Sequence, residues 1–168
     1  SLPEGLSEIP GYAFRYCRSL KLEYLPSDVT SIGTCAFQQC WNMPLSTFPS
    51  GLTNIFAYAF EDCSKIKITS LPEGITRIED CAFYSCFYMP LASLPNNISY
   101  IGKAAFYYCN RLAIKKLPEN LKYIGSSAFG HGYLSMLYSI PSGATTIEAD
   151  AFLACAMSSI KFEGTPEN

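Results

Sequence analysis

The chain has 168 residues, 49% of them apolar and 15% charged, with a net charge of −2 at neutral pH. That composition supports a packed interior and excludes a disordered chain. Acids and bases are interspersed, so no basic tract points to nucleic acid, and no apolar run approaches the roughly 20 residues that membrane insertion needs.

Taken in order, the first feature is Leu2-Pro3, and a proline returns at Pro26, Pro49, Pro72, Pro95, Pro118 and Pro141. Proline lacks an N–H and ends a strand ladder. Two residues later stand Gly5, Asp28, Gly51, Gly74, Asn97, Asn120 and Gly143. These are the residue types that tolerate positive φ, which predicts a left-handed corner. An apolar pair spaced by three follows, as in Ile75/Ile78 or Leu121/Ile124, and predicts a short strand ladder. Next comes Ala13-Phe14 with Cys17, whose apolar spacing suits a single helical turn, partly 3₁₀. Beyond the cysteine, Leu20/Leu22, Met43/Leu45, Ile66/Ile68, Met89/Leu91 and Leu112/Ile114 alternate with other residues. Period two predicts the main half-buried strand there.

The whole sequence of elements repeats. Phe14, Phe37, Phe60, Phe83, Phe106, Phe129 and Phe152 are separated by 23 residues each, and Ala precedes every one. Cys17, Cys40, Cys63, Cys86, Cys109 and Cys155 follow three residues later, with Gly132 in the sixth unit. A fixed period in the twenties marks a solenoid, in which each unit buries its apolar face only by stacking on the next. The predicted architecture is an α/β solenoid over 1–168: short parallel strands joined by single helical turns, a right-handed superhelix of seven coils, all seven Phe in one buried column. A second period of 46 residues lies over the first. Met43-Pro44-Leu45 matches Met89-Pro90-Leu91, Cys35 matches Cys81, and Trp41 matches Phe87. Pro44 and Pro90 each remove one ladder donor, so weakened strands are expected there.

The repeated unit resembles the BspA-like leucine-rich repeat, with Leu25-Pro26 through Ile32-Gly33, Ala36-Phe37 and Cys40 falling on its pattern in turn. One departure is the stretch Leu20-Lys21-Leu22-Glu23-Tyr24-Leu25-Pro26, which moves an inward residue by one place. The resemblance implies a bacterial cell-surface or secreted module that mediates adhesion and protein binding without catalysis. Its partners would be a host or matrix protein, or a glycan. A structural spacer in a larger surface protein is the alternative reading.

Catalytic chemistry finds little support. The single histidine, His131, sits between Gly130 and Gly132 in the repeat that lacks its cysteine, and reads as loop variation. Six cysteines share one repeat position and read as buried free thiols. A four-cysteine zinc site from 35/40 and 81/86 would need pairs two coils apart to meet. Glu61, Asp62, Glu79 and Asp80 read as a charged edge rather than a cation site, and no cofactor is expected. The candidate binding surface consists of positions just after each Phe and Cys, which point outward if the inward set is full. Those positions hold Trp41, Tyr84, Phe87, Tyr88, Tyr107, Tyr108 and Tyr133. Grouped exposed aromatics are enriched in interfaces and carbohydrate platforms. The chain opens in mid-repeat and neither end carries a cap, which predicts a fragment of a longer protein, or end-to-end self-association.

Overall fold

A computed structural model describes residues 2–157 and 161–163. Its regular elements are two-residue strands: β1 (Glu8–Ile9), β2 (Ser31–Ile32), β3 (Asn54–Ile55), β4 (Arg77–Ile78), β5 (Tyr100–Ile101), β6 (Tyr123–Ile124), β7 (Ser139–Ile140), β8 (Thr146–Ile147) and β9 (Lys161–Phe162). Pairing is parallel, and equivalent residues of adjacent repeats face each other: Ile9 with Ile32, Ile32 with Ile55, Ile78 with Ile101, Ile101 with Ile124. In β1 to β6 the isoleucines are buried and the residues before them face outward or lie half-covered. Among the described residues no helix is long and apolar enough to cross a membrane.

The principal ladder therefore lies at Ile75/Ile78, where a secondary one was expected, and not at Ile66/Ile68. Ile66 and Ile68 are buried as predicted, but their segment forms no strand. The 46-residue period explains why. Lys67 donates its N–H to Leu45 O (2.8 Å) and Ala113 to Leu91 O (2.8 Å). In the alternate repeats the equivalent position is Pro44 or Pro90, which has no N–H to give. The bond there moves two residues on, from Ser46 to Glu23 O (3.2 Å) and from Ala92 to Thr69 O (3.0 Å). A ladder whose donor changes place at every step cannot propagate.

Two glycine positions make the principal ladder possible. A Cβ on Gly33 would lie 2.4 Å from the Gly11 nitrogen, and one on Gly125 would lie 2.7 Å from the Gly102 carbonyl carbon. This column reads Gly33, Phe56, Glu79, Gly102, Gly125, Glu148. Only the junction between Phe56 and Glu79 has no glycine on either side. That is where the sheet divides, into β1-β2-β3 and β4-β5-β6-β8. β7 pairs with β9 apart from both.

The helical turn at Ala-Phe-x-x-Cys is replaced by consecutive tight turns. Ala13 N–H returns to Pro10 O and Cys17 N–H to Phe14 O, the i to i+3 closure a 3₁₀ turn would share. The third residue of each turn, however, is left-handed: Tyr12 at φ 63° and Tyr16 at φ 64°. Positive φ there defines type II turns and interrupts any helix. The reversal frees alternate N–H groups for the next repeat, so Tyr12 donates to Thr34 O (2.9 Å), Phe14 to Ala36 O (2.8 Å) and Tyr16 to Gln38 O (2.8 Å). The same two columns are left-handed throughout, down to Asp150 and Ala154.

The corner after each proline is the converse correction. Of the residues predicted to be left-handed there, only Gly5 has positive φ, at 76°. Val29, Ile75, Ile98 and Leu121 N–H close onto Pro26, Pro72, Pro95 and Pro118 O. With negative φ at Asp28, Asn97 and Asn120 these are ordinary turns, which favour the same residue types.

Inside, the phenylalanines form one stack with ring centroids 5.3–5.5 Å apart from Phe14 to Phe152. Phe37, Phe60, Phe83, Phe106 and Phe129 are fully buried, whereas Phe14 and Phe152 at the ends of the stack are half-covered for want of a neighbour. Beside them the ladder thiols donate to the carbonyl of the preceding repeat's phenylalanine: Cys63 to Phe37 O (3.1 Å), Cys86 to Phe60 O (3.2 Å), Cys109 to Phe83 O (3.1 Å). All eight cysteines are free thiols. The terminal stretch Thr165-Pro166-Glu167-Asn168 and Ile160 lie outside the described residues.

Candidate binding surface

Because Ala, Phe and Cys of each turn segment point inward, the residues between and after them build the outer face in columns. One column holds Arg15, Gln38, Glu61, Tyr84 and Tyr107; the next holds Gln39, Asp62, Ser85, Tyr108 and His131; a third holds Arg18, Trp41, Ser64, Phe87, Asn110 and Tyr133. The second is a left-handed column, which turns its side chains outward beside the third.

The seven predicted residues divide into two groups. Tyr84, Tyr107 and Tyr108 are half-buried and pack on one another. Tyr84 and Tyr107 stack at 5.2 Å, Tyr107 meets Tyr108 edge-on at 4.6 Å, and His131 closes the cluster at 5.3 and 5.0 Å from these two rings. Gly130 is required by this packing, since a Cβ there would sit 2.6 Å from the Tyr107 ring. His131, read as loop variation, is thus part of an aromatic cover over the turns. Burial pushes the Tyr84 hydroxyl above its ordinary value.

Trp41, Phe87 and Tyr88 remain open, at 42%, 36% and 56% exposure, and surround a groove of about 550 Å³. Asp62, Ser64, Ser85, Asn110 and Arg111 complete its lining. Arg18 lies over the Trp41 ring at 4.4 Å, and Arg111 lies 5.5 Å from the Tyr88 ring. Ser64, between Trp41 and Phe87 in the column, donates its Oγ–H to Trp41 O (3.2 Å). Burial raises the Asp62 carboxyl above its usual range, against the hydrogen bonds Ser85 and Gln39 give it. Tyr133, 55% exposed, stands in the same column but outside this groove.

Asp62 was legible only as one of four acids, and the fold disperses those four. Glu61 accepts from Gln38, Glu79 pairs with Arg77 at 2.8 Å, and Asp80 accepts the Lys103 N–H at 2.9 Å. Ser64, Ser85, Asn110 and Arg111 carried no signal, because only the column register makes them neighbours. No group of three metal-ligating side chains comes together among the described residues. Cys35 and Cys81 share a column with Tyr58 between them, and burial is the chief cause that pushes Cys81 up to about 11. Burial likewise raises Cys63 and Cys86 well above the ordinary thiol value. Thiols so disfavoured as anions are poor nucleophiles and poor metal ligands at neutral pH.

Stacked short parallel strands around a continuous apolar interior define a leucine-rich repeat protein. The particular kind is set by the repeated unit: residues 1–112 and 69–168 match the BspA type leucine rich repeat region, and the chain belongs to that family. Its repeats are generally non-catalytic. A leucine-rich repeat protein of T. pallidum superposes with a TM-score of 0.67 at 28% identity, covering 92% of this chain and 66% of that one. A leucine-rich repeat protein of Bacteroides ovatus gives 0.61 at 20% identity, over 96% and 59% of the two chains. A leucine rich cell surface protein of Faecalibacterium prausnitzii gives 0.42 at 22%, over 95% and 64%. This chain thus spans less than two thirds of each of these structures. No curated protein matches it.

Proposed function

We propose that this chain is a non-enzymatic recognition module of a bacterial cell-surface or secreted protein, and that it binds a protein partner through the outer face of its turns. The observation that carries this reading is the grouping of Trp41, Phe87 and Tyr88, exposed around one groove, in a chain whose inward positions are already filled. Exposed aromatic rings side by side are uncommon on a surface that contacts only water. In this reading the solenoid is a right-handed superhelix of seven coils, in keeping with the handedness of parallel-strand crossovers. The face is tested by surface plasmon resonance against immobilised extracellular-matrix proteins. Replacing Trp41 and Tyr88 together by serine is expected to abolish binding while the melting temperature stays within a few degrees, since both rings are exposed. Binding that survives the double replacement, or no binding to any matrix protein by the unaltered chain, overturns the protein-binding reading and favours a spacer.

A further inference from the structure

Trp41 and Phe87 occupy the same column two repeats apart, with Ser64 between them. Each ring has one face covered. Arg18, from the repeat before, lies over Trp41 at 4.4 Å. Tyr108, from the repeat after, stacks on Phe87 at 6.0 Å and 26°. The uncovered faces therefore turn toward each other across Ser64. The phenylalanines directly beneath them, Phe37, Phe60 and Phe83, are spaced by 5.4 and 5.5 Å, which sets the span of the gap. A flat ring inserted there needs roughly 3.5–4.0 Å of carbon contact to each wall. The two repeat spacings together exceed twice that distance, so a ring stacks on one wall and leaves room beside the other.

We propose that this slot is a carbohydrate subsite, and that it takes a neutral pyranose with equatorial hydroxyls, as in gluco-configured oligosaccharides. Such a ring presents C–H groups on both faces, which suit the facing Trp41 and Phe87, and hydroxyls round its rim. Hydroxyls both donate and accept. The rim of the slot is mixed in the same way: the Asp62 carboxylate accepts, the Arg111 guanidinium and Asn110 amide donate, and the Ser85 hydroxyl does both. A free aromatic side chain would leave these groups unpaired. A guanidinium would suit the two rings and Asp62, but it would meet the like charge of Arg111. With one acid, Asp62, and one base, Arg111, in its lining, the slot suits an uncharged guest. Its volume of about 550 Å³ lies in the usual range for small-molecule sites and has room for more than one sugar unit.

The inference rests on the turn face being the recognition face, and it names what one part of that face holds. Trp41 is the single tryptophan of the chain, so its emission reports on the slot alone. Titration with cellotetraose and with chitotriose is expected to give a saturable change in that emission, with a dissociation constant between about 10 µM and 1 mM for so small a contact. Ser64→Tyr fills the gap with a side chain that the column already accepts at Trp41, Phe87 and Tyr133, so it should fold and weaken sugar binding at least tenfold. Phe87→Asn, which copies Asn110, is the second variant and should do the same by removing a wall. Tyr24→Ala, at an exposed tyrosine outside this groove, should leave binding unchanged. No saturable response to either sugar, or a response that Ser64→Tyr and Phe87→Asn both leave intact, overturns the proposal. So does saturation by the peptide Gly-Arg-Gly with none by the sugars. If matrix-protein binding through Trp41 and Tyr88 persists in those cases, the recognition reading stands and only the sugar subsite falls.

Discussion

Two intervals in one column have the same length and are each framed by two aromatic rings, yet one is open and the other is closed. Trp41–Ser64–Phe87 leaves a slot, while in Phe87–Asn110–Tyr133 the far face of Phe87 is already occupied. The difference lies in the neighbouring left-handed column. Where the second interval has Tyr108, which stacks on Phe87, the first has Asp62, which is too short to stack on Trp41. One residue at a fixed register decides whether a pair of aromatic rings forms a cover or a site. The repeat supplies the frame, and departures from the repeat supply any specificity.

Three changes test this comparison, and the largest effect is expected beneath it. Both intervals rest on the phenylalanine stack, and Phe83 underlies Phe87, the ring they share. Phe83→Ala should cost about 3–5 kcal/mol, the usual range for a fully buried ring. Urea denaturation measures this. A loss no larger than that of an exposed ring would mean the turn face does not depend on the stack.

Next in size is an alkaline effect. Burial pushes Cys40 up to about 12 from an ordinary 9.0. An acid whose folded value is raised stabilises the fold below its unfolded value and loses that stabilisation as pH rises through the folded one. Stability is therefore expected to be level up to about pH 9 and to fall toward pH 12. The open interval stands on Cys40, Cys63 and Cys86, whereas the closed one has Gly132 at its end. Trp41 emission should thus report alkaline loosening before the tyrosine cluster near His131 does. A denaturation midpoint independent of pH between 8 and 11 would show that the thiols are not buried as described.

The smallest change exchanges the deciding residues. Asp62→Tyr should close the first interval and reduce acrylamide quenching of Trp41. Tyr108→Asp should open the second and leave that quenching unchanged, at a stability cost of about 0.5–1.5 kcal/mol for the lost aromatic pair. Equal quenching in all three proteins would show that register does not control access to the slot.

The sequence by itself determined the period, the stacking, the inward set of Ala, Phe and Cys, and the family, because each depends on residue type recurring at a fixed spacing. Trp41, Phe87 and Tyr88 were legible as outward aromatics for the same reason. Only the tertiary structure decided the rest. Tyr12, Tyr16, Cys35, Gln39, Tyr58 and Tyr108 carry no local preference for positive φ, yet all adopt it. A side-chain-bearing residue left to itself avoids that region by roughly 1–2 kcal/mol. Here the next repeat accepts the N–H that the reversal exposes, so the conformation belongs to the stack rather than to the residue. The place of the strands was settled in the same way. Pro44 and Pro90 displaced the hydrogen bonds of one segment at alternate repeats, while Gly33, Gly102 and Gly125 let the backbones of the other approach. Asp62, Ser64 and Ser85, which line the slot, became a neighbourhood only because a register of 23 residues set two successive turns side by side.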